Sequence, residues 1–180
     1  MYESGLIAGI SEHVDEGDDV VIVGGGRGIT AVRAAEQVGE TGTVTVFEGA
    51  SECIGRIKQT ARLNSVADRI AVYHRIVGST ENLKGSRKGA ARLSPSELPE
   101  CDVLELDCEG AEIEILDGIE FRPRVVLVET HGLYDTPSEA VKTMLENQSY
   151  SITSEQVADE GRSDFCEDND IMVIAAVRQP

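Results

Sequence analysis

The sequence predicts an α/β domain built on a mostly parallel sheet, and three observations carry that expectation. The β-branched run Val20-Val21-Ile22-Val23 stops on Gly24-Gly25-Gly26-Arg27-Gly28 and resumes as a helical pattern, which reads as strand, tight turn and helix. Strand-like and helix-like segments then alternate along the chain, as layered α/β domains require. The continuous apolar run Val125-Val126-Leu127-Val128 implies a strand buried on both faces, and so a sheet covered by helices on both sides. At 180 residues with 41% apolar content, the chain is long enough for one well-buried domain and short for two, so residues 1–180 are expected to form a single domain.

The elements follow in order. Residues 1–19 are expected to form an N-terminal helix and turn, the helix lying within 2–14 and Glu16-Gly17-Asp18-Asp19 leading into the first strand. Strands are expected near 20–24, 43–48, 69–74, 102–107 and 124–130, with helices near 28–38, 51–64 and 111–117 joining them through right-handed crossovers. Thr136 as N-cap, Pro137 at the first helical position and Glu139 in the first turn start a helix that runs to about Asn147. Tyr150–Ser154 and Ile171–Val177 supply the last strands. Residues 79–99, with Gly85, Ser86, Gly89, Ser94 and two prolines, read as a flexible loop at the carboxyl edge of the sheet, where ligands bind in such folds. Lys84, Arg87, Lys88 and Arg92 make it a basic flap.

The chemistry is concentrated at that edge. Without Cβ atoms at Gly24, Gly25, Gly26 and Gly28, a ligand can approach backbone N–H groups, and the helix that follows offers a positive N-terminus. One strand later, Thr43-Val44-Thr45-Val46-Phe47 ends on Glu48 and Gly49, where a carboxylate can accept hydrogen bonds from two vicinal ribose hydroxyls. A dinucleotide fingerprint begun at Gly24 needs glycine or alanine where this chain has Ile29, which speaks against an NAD-linked oxidoreductase. The spacing is G-x-G-x-G, and it resembles motif I of S-adenosylmethionine (SAM) dependent methyltransferases. The segments Phe47-Glu48-Gly49-Ala50-Ser51-Glu52, Ala61-Arg62-Leu63-Asn64, Asp102 to Glu112 with its D-x-E-G-A-E core, and Val126-Leu127-Val128-Glu129-Thr130-His131 resemble the FkbM family over residues 18–131.

That resemblance implies a Rossmann-like three-layer α/β/α sandwich with a mostly parallel seven-stranded sheet and an antiparallel last strand. It also implies SAM as cofactor, and O-methylation of a hydroxyl on a small molecule or sugar. The chain departs from the family's pattern in two places: Ile22 stands where an acid commonly precedes the first glycine, and Gly49 where proline is frequent. Cofactor binding is assigned to Gly24, Gly25, Gly26, Gly28, Glu48, Gly49 and Asp107. Asp107 is placed near the methionine end because its strand is expected beside the glycine strand.

Asp107 and Glu109 close one strand, Glu129 and His131 the next, so four titratable groups share one rim and should shift one another's protonation. His131 is the candidate general base, with Asp107 and Glu129 as catalytic partners. No metal is assigned, although Asp107 and Glu129 are oxygen ligands of the kind catechol O-methyltransferases use for magnesium. Glu109 and Glu112 read as helix-start carboxylates favoured by the helix dipole, and for Glu112 that account suffices. The short stretch before the first strand, where such enzymes often build a lid, keeps open a second reading: a SAM-binding module idle alone or completed by a partner.

Composition narrows the partners. With 33 acidic against 16 basic residues and a net charge of −17, the surface repels phosphate backbones and anionic lipid, and the lack of tryptophan leaves few stacking platforms for bases. A small-molecule or carbohydrate acceptor is therefore expected rather than nucleic acid or membrane, with a homo-oligomer left open. Dense carboxylates suit a halophile's cytoplasm, where a Debye length of ~3 Å at 1 M salt removes most self-repulsion. Cys53, Cys101, Cys108 and Cys166 show no zinc spacing, and Cys108 between two acids should be a poor nucleophile. With no apolar run near membrane-spanning length and no leader-like start, the protein is expected to be cytoplasmic.

Overall fold

A computed structural model describes residues 2–79, 82 and 84–179. Eight strands form one sheet in the order β4-β3-β2-β1-β5-β6-β8-β7. The strands are β1 (Asp19–Val23), β2 (Thr43–Glu48), β3 (Ile70–Val77), β4 (Ala91–Leu93), β5 (Val103–Leu106), β6 (Val125–Glu129), β7 (Tyr150–Val157) and β8 (Met172–Arg178). All neighbours from β4 to β6 pair parallel, and β8 runs antiparallel to both β6 and β7. The order reverses between β1 and β5, which puts the switch point, and with it the ligand crevice, beside the end of the glycine strand.

The alternation of side chains divides the core in two. Val20, Ile22, Val44, Val46, Val103, Val125 and Leu127 face α1 (Ser4–His13), α2 (Ile29–Val38) and α3 (Ser51–Leu63). Val21, Val23, Leu104, Leu106, Val126 and Val128 face α4 (Glu112–Gly118) and α5 (Ser138–Asn147). The apolar runs of β1 and β6 are thus buried from both sides, giving the three-layer Rossmann-like sandwich the sequence predicts.

Three expectations are corrected. The sheet has eight strands, not seven, because Ala91–Leu93 inside the expected flexible loop pairs parallel with Arg75–Val77. A 3-10 turn at Pro95–Glu97 follows, closed by a capping box between Ser94 and Glu97. Positions 80, 81 and 83 of that loop lie outside the described residues. Thr136 does not cap α5. Its hydroxyl donates to the His131 carbonyl at 3.0 Å, Pro137 takes the N-cap position, and the Ser138 N–H is satisfied at 2.8 Å by Asp170, 32 residues away. A short helix, α6 (Ser163–Asp168), lies between β7 and β8, where no element was expected between the last two strands. Among the described residues no helix is long and apolar enough to cross a membrane.

Candidate active site

The glycine loop is a close-packed bend. Gly24 has φ 95°, and a Cβ there would stand 1.7 Å from the Asp107 carbonyl oxygen, so the bend and the end of β5 touch backbone to backbone. Gly28 has φ 79°, and a Cβ on it would come within 2.9 Å of Ile57 Cα in α3. The bend is tied down by Gly24 N–H donating to Phe47 O at 2.9 Å and Asp107 N–H to Val23 O at 2.9 Å. Gly24, Gly26, Glu48, Gly49 and Asp107 line one cavity of about 230 Å³, together with Tyr2, Phe47, Arg27 and Arg56. Gly25 and Gly28 stay out of it, a side chain at either running into Ile57.

Glu48 is buried, and its two oxygens accept from the N–H groups of Gly26 at 2.9 Å and Ala50 at 2.6 Å. The carboxylate therefore joins the glycine bend to the turn after β2. Each oxygen keeps a further lone pair for a ligand. These features fit an adenosyl cofactor: a glycine bend whose backbone lines the cavity without side chains, and an acid with lone pairs to spare at the rim of the next strand.

A second cavity of about 250 Å³ shares Tyr2, Glu3, Lys84, Asp107 and Glu109 with the first and continues to Glu129, His131, Leu133, Tyr134, Arg162 and Phe165. His131 is only 7% exposed at its side chain, and its ring is fixed by Nδ1 at 2.9 Å from the Glu112 carboxylate. A carboxylate can only accept, so Nδ1 carries hydrogen; Nε2 turns into the cavity, 3.6 Å from Asp107 and 3.7 Å from Glu129, and is bare when the ring is neutral. Tyr134 stacks beside the ring with centroids 6.0 Å apart.

Glu112 corrects the sequence reading. It does open α4, but it is fully buried, accepts from the Cys108 and Gly110 N–H groups and orients the histidine, so the helix dipole alone does not account for it. Tyr2 and Glu3, at the start of α1, were not legible as site residues at all. They reach the cavities because Leu6 and Ile10 anchor α1 in the core.

The electrostatics follow from burial. Desolvation, with Glu109 and Glu112 adding to it, lifts Asp107 to about 6 against the pull of His131. Glu3 rises to about 7 for the same reason, with Asp107 contributing. Burial followed by the Asp107 charge holds Glu129 well above the ordinary carboxylate range. For His131 burial opposes the charged ring, but the Glu112 hydrogen bond and the Asp107 charge outweigh it and raise its pKa. Burial likewise keeps the Cys108 thiol protonated, as the sequence suggested. Asp107, Glu129 and His131 place their ligand atoms within 4.8 Å of one another, close enough to hold a cation in common.

No protein-family model matches the sequence, and no curated protein matches it. Solved structures do resemble it. A ribosomal-protein methylase of Lactobacillus delbrueckii subsp. bulgaricus superposes with TM-score 0.63 at 15% identity, over 97% of this chain and 77% of that one. A SAM-dependent O-methyltransferase of Thermotoga maritima gives 0.59 at 15% identity, over 96% and 63%. Fibrillarin of Aeropyrum pernix, with SAM natively bound, gives 0.59 at 18% identity, over 96% and 76%. The chain therefore has the Rossmann-like α/β fold of SAM-dependent methyltransferases.

Proposed function

We propose that this chain is a SAM-dependent methyltransferase, resembling the FkbM type, that transfers methyl to a hydroxyl of a small molecule or sugar. The observation that carries the reading is the meeting of two cavities at Asp107: one under the glycine bend with Glu48, the other holding His131. Gly24, Gly26, Glu48, Gly49 and Asp107 would hold the cofactor, with Glu48 facing the ribose hydroxyls. When bound, SAM supplies an electrophilic methyl group for in-line displacement.

The chain's part is positioning and proton handling. His131 Nε2 takes the proton of the acceptor hydroxyl as its oxygen becomes the nucleophile. Glu112 holds the ring in the right tautomer and stabilises the imidazolium that results. Asp107 favours the same charged ring. A general base contributes typically 10²–10⁴-fold. A second cavity within one chain favours an active enzyme over a module waiting for a partner. The carboxylates around His131 and the net charge of −17 favour a small acceptor over RNA, although some similar folds act on ribosomal components. Calorimetry with S-adenosylhomocysteine in molar potassium chloride, followed by methyl transfer to a panel of hydroxyl compounds, tests the reading. Failure to bind the homocysteine product would end it.

A further inference from the structure

The acceptor cavity carries more information than the reaction type. Its floor holds Asp107 and Glu129, and its shared wall holds Glu3 and Glu109. A carboxylate placed for hydration would be exposed, but the Glu129 side chain is 14% exposed, Glu109 21% and Asp107 23%. Glu109 Oε2 is buried without a partner among the described residues. His131, more than nine-tenths buried, turns Nε2 into the same space with no hydrogen bond there. Lys84, 2.8 Å from Glu109, offsets one charge, and Arg162 lies 4.7 Å over the Phe165 ring at the rim. Lys84 also draws on Asp107, but among the described residues neither cation is ion-paired with Glu129.

We propose that this cavity takes a hydroxyl acceptor that also bears a protonated amine, such as an amino sugar or amino alcohol. The inference rests on the methyltransferase reading above. Glu129 and Asp107 receive the ammonium while His131 faces the neighbouring hydroxyl. Burial and the neighbouring acids lift both carboxyls, at Asp107 against the pull of His131 and Lys84, and an incoming cation stabilises their charged forms. An organic cation fits better than a bare metal ion, because the cavity runs past the three ligand atoms to Leu133, Tyr134 and Phe165. Aromatic faces already accompany cations here: Lys84 Nζ lies 6.0 Å from the Tyr134 ring. At about 250 Å³ the cavity falls below the ~300–1,000 Å³ of drug-sized pockets, which suits a single sugar ring.

The test compares glucosamine, glucose and glucose 6-phosphate, which differ in one substituent each. Methyl incorporation from SAM is measured, and independently the rise in Tm each compound causes with S-adenosylhomocysteine bound. The amino sugar is expected to exceed glucose by about 10-fold or more in kcat/KM, the value of one charge-assisted contact, with the phosphate last. Glu129→Gln should bring glucosamine to within about 2-fold of glucose in the Tm titration, whatever it does to turnover. Equal handling of the two sugars, or preference for the phosphate, would overturn the inference. So would activity abolished by EDTA and restored by Mg²⁺ or Mn²⁺ regardless of the amine. Loss of S-adenosylhomocysteine binding in the native chain would instead bring down the methyltransferase reading itself.

Discussion

Two carboxylates at the same edge of the sheet, Glu48 and Glu129, are set up in opposite ways. Glu48 ends β2 and has both oxygens occupied by backbone N–H groups, which fix the glycine bend against the next turn. Glu129 ends β6, has no such donors among the described residues, and faces Asp107 and Nε2 of His131. Backbone donors stabilise a buried charge in place, whereas burial against other acids leaves a group that a ligand must complete. The glycine side of the site is therefore built in advance, and the His131 side is left poised. Glu105 is a third case: it is fully buried on β5, in register with Ile22, and lines neither cavity, with the Thr30 hydroxyl near enough only to moderate the cost of burying it.

The comparison can be broken in four places. The largest effect is expected from Gly24→Ala, which drives a Cβ into the Asp107 carbonyl at a positive φ. Backbone cannot yield as a side chain does, so the cost exceeds the ~1–3 kcal/mol of ordinary overpacking. Calorimetry should find S-adenosylhomocysteine binding lost and thermal unfolding should come earlier; retained affinity would mean the bend is not the cradle. Next, His131→Ala should keep cofactor affinity while turnover falls about 10²-fold or more. In the native chain the acidic limb of the kcat profile should lie above the ordinary histidine value of about 6.5, because the ring must lose a proton held more tightly than usual. A histidine variant that loses binding and turnover together would make the residue structural.

Glu105 offers a smaller effect with a defined sign. Burial raises its carboxyl from 4.5 to about 8, so between those values the folded chain keeps a proton that the unfolded chain has released. Stability is then lost as pH rises through that window, on the order of a few kcal/mol in total. Glu105→Gln removes the titration, and its Tm relative to the native chain should climb from pH 5 to pH 8. A constant difference would reveal a partner holding Glu105 charged. The smallest effect is assigned to Glu48→Ala, expected to weaken cofactor binding about 10-fold and to lower Tm, since two N–H groups lose their acceptor. A lower Tm with unchanged affinity would sharpen Glu48 into a brace that never meets the ribose.

Much of this was legible because it is local. The β-branched run before Gly24, the alternation ending at Glu48 and the apolar stretch of β6 report their own burial. Their order yields a parallel sheet with its loops at one edge. The convergence of Asp107, Glu129 and His131 also followed, because adjacent parallel strands in register end side by side. Strand β4 was not legible: Ala91–Leu93 is three residues, too short for an alternating pattern to mark it, and only pairing with β3 makes it a strand. Glu112 misled for a related reason, since an acid at the start of a helix looks the same in sequence whether it meets water or a buried imidazole 19 residues away.

What the amino-acid order determined by itself was the layering, the glycine bend and the acids at strand ends, all set by periodicity and by the geometry of neighbouring residues. What the tertiary structure alone decided was which of those acids are satisfied. Hydrogen-bond partners and desolvation come from segments far apart in the chain: Tyr2 and Glu3 brought over the bend by α1, Asp170 capping α5, and Glu112 turned onto His131. A charge's cost depends on what surrounds it in space, and no pattern along the chain records that.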